Sequence, residues 1–277
     1  MSDSQIKPTG QAYAELQRAF DYYNDKLFSG QLPDCLITFQ RKNNTMAYFS
    51  PHRFVSLKAD TKVDEIAMNP AYFPSFPLIE VMQSMVHEMC HQWQEYFGKP
   101  SVRTYHNREW ADKMIEVGLM PTSTGTVGGK QVGQKIADYP IANGLFQRVT
   151  LELFKAGFVI SWFDRFPNVV TPSHDLSEVI DTWRETLASS SDSGEVNDVD
   201  EQLVAMALIA PIQAQTYEET TTFAEQVKTK TRHKWQCPKC SDSLMGKPSL
   251  NVICGNCNVT FVDLDAEEFA SKNEPGN

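Results

Sequence analysis

The chain has 277 residues, 41% hydrophobic and 22% charged, a balance suited to a globular protein and too apolar for overall disorder. Its net charge of −10 excludes a protein that coats nucleic acid with its whole surface, yet residues 188–227 carry −8 and residues 228–250 carry +5. The longest apolar stretch, residues 203–212, is broken by Pro211 and too short to span a bilayer, and no apolar core follows a basic start. Secretion and membrane insertion are therefore not expected. A reducing, cytoplasmic setting follows, compatible with a place beside the nucleoid, in which six cysteines do not form a disulfide framework.

Residues 11–28 predict an amphipathic helix, with Tyr13, Leu16, Ala19, Phe20, Tyr23 and Leu27 at three- and four-residue steps. Short strand-like runs follow at 35–40, 45–50 and 65–68, with a turn at Asn43-Asn44 and a stop at Asn69-Pro70. Residues 78–97 carry the strongest helical pattern, closed by Gly98 and Pro100. Asn107 can cap a further helix on which Trp110, Met114 and Val117 share a face, and Pro121 is expected to end it. Residues 122–134 read as a Thr/Ser/Gly loop, 146–156 as a helix ended by Gly157, and 158–163 as an aromatic-rich extended segment. Asp175 and Glu178 stand at capping-box spacing before a helix over 175–187. Residues 188–202, with a serine run and five acids, have a linker's composition, and residues 203–212 fit helix or strand equally.

The strong helix contains His87-Glu88-Met89-Cys90-His91. Two histidines four residues apart share a helix face and can grip one metal ion, and Glu88 between them can reach a water on that ion. At this composition the pattern arises by chance about 0.01 times. On a helical wheel Val81, Met82, Met85, Val86, Met89 and Trp93 form one stripe, and His87 and His91 fall on the opposite side. The apolar stripe is thus expected to face a core and the imidazoles a different space. Cys90 falls between the two faces and, like Cys35, reads as packing. A catalytic zinc takes three protein ligands and one open position. His52, His106, His174 and His233 remain as candidates, and a chain turning back at Gly98–Pro100 can bring His106 to the open face.

This region resembles the SprT-like domain, the metalloprotease domain shared with Spartan-type DNA–protein-crosslink proteases. The resemblance rests on Tyr23-Asn24-Asp25-Lys26-Leu27-Phe28, Ile66-Ala67-Met68-Asn69-Pro70, His87–His91, and Tyr105-His106-Asn107-Arg108-Glu109-Trp110, and covers residues 11–121. It implies an α+β, zincin-like fold, a third zinc ligand at His106, and a role in crosslink repair and stress response. The implied chemistry is peptide hydrolysis. Zinc polarises the scissile carbonyl and activates a water as nucleophile, while Glu88 is the general base that passes the proton to the leaving amine. Analogy with other zincin-like proteases suggests a strand that holds extended substrate, for which Glu65–Met68 is the candidate.

A second constellation is Cys237-Pro-Lys-Cys240 followed by Cys254-Gly-Asn-Cys257. Four thiolates in two knuckles predict a closed, structural zinc site, with Lys239 and Gly255 suited to tight turns. Larger SprT-like proteins often end in such a ribbon. Ahead of it, Lys228, Lys230, Arg232 and Lys234 share one face of an extended strand and Trp235 follows. A cationic row beside an aromatic suits phosphate contacts and base stacking, so single-stranded or junction DNA is the expected nucleic-acid partner. The plainer reading of equal weight is a solvated strand face with Trp235 in the ribbon core. Phe158, Trp162, Phe163 and Phe166 are expected to form an aromatic core, and Arg103, Arg108 and Trp110 to serve the helix surface. Gly128, Gly129 and Gly133 lack the strand-to-helix frame of a phosphate loop.

The expected organisation is a metalloprotease domain over 11–121, a loop and helical extension over 122–187, an acidic linker over 188–226, a zinc ribbon over 227–265 and a flexible tail. The expected activity is a zinc metalloprotease acting on DNA-associated or crosslinked proteins, with one catalytic and one structural zinc. The rival is a non-enzymatic zinc-ribbon protein that binds nucleic acid or the transcription apparatus. Glu88 favours the enzyme, since a structural site needs no base.

Overall fold

The computed structural model describes residues 7–102, 105–167, 232–248 and 250–265. The chain divides into two compact units, residues 1–218 and 219–277. The expected helix at 175–187, the linker, residues 203–212, Arg103, Lys228 and Lys230 lie outside the described residues.

The first unit is mixed α+β. Helix α1, Pro8–Phe28, begins on a proline, whose missing N–H has no helical partner at that position, and ends at Ser29 in the left-handed region. Of the periodic positions it buries Leu16, Ala19, Phe20, Tyr23 and Leu27, while Tyr13 is exposed. Strands β1 (Cys35–Phe39), β2 (Ala47–Val55) and β3 (Lys62–Met68) form a sheet of order β1-β3-β2. β3 pairs with β1 in parallel and with β2 antiparallel. It is therefore the central strand, and Asp64 through Met68 are all buried. This overturns Glu65–Met68 as a substrate-holding strand: its backbone hydrogen-bonding groups are already taken on both sides. The edge strands of the sheet are β1 and β2.

Helix α2, Leu78–Phe97, has the bounds expected from its pattern and lays Val81, Met82, Met85, Val86 and Met89 into the core. Cys35 and Cys90 are buried there too, as packing. Helix α3, Arg108–Val117, starts where Asn107 accepts a hydrogen bond from the Trp110 N–H at 3.0 Å. It ends at Gly118, not at Pro121. Gly118 takes φ 95°, and a Cβ there would lie 2.6 Å from the Phe146 nitrogen, so only glycine fits this turn. Pro121 instead lies in β4 (Leu119–Thr122), which pairs antiparallel with β5 (Ala137–Pro140). Helix α4, Leu145–Lys155, packs back on α1, where Tyr23 and Thr150 share a buried hydrogen bond of 3.0 Å. Residues from α1 through α4 thus join one core. Residues 158–163 form no regular element, and only Phe158 of the expected aromatic core is buried; Trp162, Phe163 and Phe166 are exposed.

The second unit is a small sheet of order β7-β6-β8, built from β6 (His233–Gln236), β7 (Ser243–Gly246) and β8 (Val262–Asp263). Among the described residues no helix is long and apolar enough to cross a membrane.

Candidate metal centre

His87 and His91 leave α2 on the side away from its apolar stripe. His106 reaches them from just before α3. The three imidazoles each offer one nitrogen, all within 4.8 Å of one another. The Nε2 atoms of His91 and His106 lie 3.1 Å apart. Two nitrogens on one tetrahedral zinc stand about 3.4 Å apart, given bonds of 2.0–2.1 Å. Nitrogen donors in this spacing, with two of the rings held by bonds at their other nitrogen, fit a zinc ion.

Those bonds come from residues that the sequence reading did not single out as functional. His87 Nδ1 meets Asp138 Oδ2 on β5 at 2.8 Å. His106 Nδ1 meets the Gly133 carbonyl oxygen at 3.1 Å, and the two residues exchange backbone N–H···O bonds of 2.8 and 3.1 Å. Each bond, with the imidazole Nδ1–H as donor, leaves Nε2 as the lone-pair nitrogen. Trp110 lies beneath all three rings, with centroid distances of 4.9 Å to His87, 5.1 Å to His91 and 4.3 Å to His106. It is fully buried, so it is the floor of the site rather than a helix-surface residue. Arg108 does serve the surface, bonded to Gln131 and paired with Asp112.

Electrostatics divide the imidazoles. Burial, with the charge of His87, pushes His106 down to about 4 and His91 well below its usual value. At His87 burial also opposes the charge, but the Asp138 bond and the Glu88 carboxylate outweigh it and raise the pKa. Glu88 itself is raised by burial, against the pull of His87 and a backbone hydrogen bond from Phe49. A raised carboxyl is a better proton acceptor. Glu80, one helical face along, is pushed by burial and by Asp138 to about 7.

The Phe49 contact shows where the β2 edge points. The Asn69 N–H bonds to the Met46 carbonyl at 2.8 Å, and antiparallel pairs alternate, so Tyr48 and Ser50 bond to β3 while Ala47 and Phe49 turn their N–H and C=O to the free edge. That edge faces Glu88.

Residues 16–127 match the SprT-like family. A curated relative, described as an uncharacterized protein in the mucB 3′ region of Salmonella typhimurium, is 54% identical over 59 residues, which are 21% of this chain and 80% of that protein. The chain belongs to the SprT-like family. No solved structure matches it significantly. SprT-like domains are generally zincin-type metalloprotease domains, and the His87/His91/His106 cluster of this SprT-like chain lies within the matched residues.

The second unit brings Cys237, Cys240, Cys254 and Cys257 within 4.8 Å of one another. The two knuckles repeat one geometry. The Cys237 and Cys254 N–H groups bond five residues on, to Asp242 and Val259, and Ser241 and Asn258 follow the second cysteine of each in the left-handed region. Lys239 and Gly255 lie in the knuckle turns, as their spacing predicts, and Ser241 and Asn258 close them in the left-handed region. Backbone N–H groups of Cys240 and Lys239 draw the Cys237 thiol down to about 7, despite an opposing contribution from burial. The cluster is consistent with a zinc ribbon. Trp235 packs into its core with Cys237, Cys254 and Phe261, which removes it as a stacking platform for bases. Arg232 and Lys234 are exposed.

Proposed function

We propose that this chain is a zinc-dependent endopeptidase, with His87, His91 and His106 as ligands of the catalytic zinc and Glu88 as general base. The reading rests on one observation: three imidazole nitrogens converge beside a buried carboxylate of raised pKa, next to a free strand edge. Zinc held there supplies Lewis acidity and a water activated for attack. Glu88 would serve as the general base for the attacking water and would return the proton to the departing amine. The outward N–H and C=O groups of Ala47 and the outward C=O of Phe49 on β2 suit an extended peptide that adds to the sheet as a further strand, beside Glu88, whose carboxylate takes the Phe49 N–H. Trp110 forms the site floor beneath His87, His91 and His106, and the apolar stripe of α2 anchors the helix that carries Glu88.

In this reading the four ribbon cysteines hold a second, structural zinc. Proteins associated with or crosslinked to DNA are the proposed substrates, in a cytoplasmic setting. With Trp235 buried, any nucleic-acid contact of the ribbon is to phosphates through cations such as Arg232 and Lys234, with no preference for unstacked bases arising from that residue.

The test is cleavage of casein and of the chain itself by the zinc-loaded full-length protein, with and without DNA, against Glu88→Gln. The variant is expected to lose about 10²–10⁴ in rate while its zinc content stays the same. Full activity in the variant removes the mechanism. No cleavage by the zinc-loaded wild type under any condition returns the protein to the non-enzymatic reading.

A further inference from the structure

We infer that Asp138 is the positioning residue for His87, and that residues 119–140, which extend beyond the family match, are the orienting strap of the metal centre. This rests on the zinc reading above and concerns how the apoprotein prepares the site. The family match ends at residue 127, yet both groups that fix an imidazole lie after it: the Gly133 carbonyl and the Asp138 carboxylate.

The geometry is a two-point clamp. Gln83 and His87 stand four residues apart on one face of α2. Gln83 Nε2 donates to the main-chain oxygen of Asp138 at 2.8 Å, and His87 Nδ1 meets its side chain at 2.8 Å. Pairing with β4, Pro121 against Asp138, holds the same residue from the other side. The Asp138 side chain is 7% exposed, and its second oxygen is buried with no hydrogen-bond partner among the described residues. Burying a carboxylate against one imidazole is costly where only a tether is needed, because Gln83 and the β-ladder already provide that. What the carboxylate adds is specific to His87: it fixes the Nδ1–H tautomer, aims Nε2 at the other two rings, and makes that nitrogen a stronger donor. Gly133 serves His106 in the same way through a neutral acceptor. The site is therefore ordered before any ion arrives.

The experiment is a Co²⁺ titration of the full-length protein, competed with Zn²⁺. Thiolate charge-transfer bands report the ribbon, and the weaker visible bands report the histidine site. Asp138→Asn, near in shape, is expected to weaken metal binding at the histidine site about 10- to 100-fold, with the ribbon bands unmoved. The unfolding midpoint of the metal-free protein should shift little. In a His87→Ala background the same change should add no further loss, because Asp138 acts through His87. Affinity within twofold of wild type in Asp138→Asn overturns the inference, as does an undiminished loss in the His87→Ala background. Should Asp138→Asn fail to fold, Gln83→Met loosens the clamp and leaves the carboxylate in place; weakening of several-fold supports the inference and unchanged binding overturns it. A wild type that takes up Co²⁺ only in the ribbon sinks the zinc reading itself, whereas wild-type uptake with indifferent variants sinks only the strap.

Discussion

Trp110→Ala is the perturbation that most directly tests how the site is built. Trp110 is fully buried, and its indole lies 4.3–5.1 Å from all three imidazole centroids. Truncating a buried Trp to Ala costs about 3–5 kcal/mol through lost contacts and the cavity left behind. A unit of this size moves about 2–4 °C per kcal/mol, so the midpoint of the metal-free protein should fall by roughly 6–20 °C. Trp110→Phe should behave differently. It keeps a ring under the histidines and removes the indole N–H, which is buried with no partner among the described residues. Relief of that orphan donor, about 1–3 kcal/mol, offsets much of the smaller packing loss, so the variant should stay within about 1.5 kcal/mol of wild type. Urea and thermal unfolding of the full chain, followed by near-UV circular dichroism in chelator, measures both. An Ala variant within 1 kcal/mol of wild type, by the same order-of-magnitude reasoning, refutes Trp110 as the floor of the site. A Phe variant as damaged as Ala refutes the assignment of an orphan N–H.

Two further outcomes are expected. Glu80 is raised from 4.5 to about 7, so the folded protein holds a proton there that the unfolded chain releases. Its contribution to stability is complete below pH 4.5 and is lost as pH rises through 7, at most about 3 kcal/mol, so Glu80→Gln should gain on wild type between pH 5 and pH 8 in urea midpoints. An unchanged gap between the two proteins at both pH values removes this reading. Cys237→Ser should lower zinc from about two ions per chain to about one and unfold the second unit alone, because so small a core cannot hold without its metal. Metal analysis that finds the same zinc content in both proteins contradicts it.

Local signals carried some parts of this protein completely. The bounds of α2, the placement of His87 and His91 opposite its core stripe, and the Asn107 cap all follow from helical periodicity and capping chemistry within a few residues. The knuckle spacing of the four cysteines is equally local, and the thiol cluster follows from it. What tertiary structure alone decided involves partners distant in sequence. Nothing within Glu65–Met68 reveals that β1 and β2 flank it on both sides, so its own pattern does not distinguish an interior strand from an edge strand. Phe158, Trp162, Phe163 and Phe166 share a composition, and only the placement of α4 against α1 determines which of them is covered. Asp138 sits 51 residues from His87, and Gly133 sits 27 from His106, in a segment whose short strands β4 and β5 each contain a proline and carry little propensity. The pairing of His87 with His91 is legible because its spacing is set by one turn of helix. The group that aims it is not, because a hydrogen bond between an imidazole and a strand depends on where the chain returns, and that is determined only when the whole core packs.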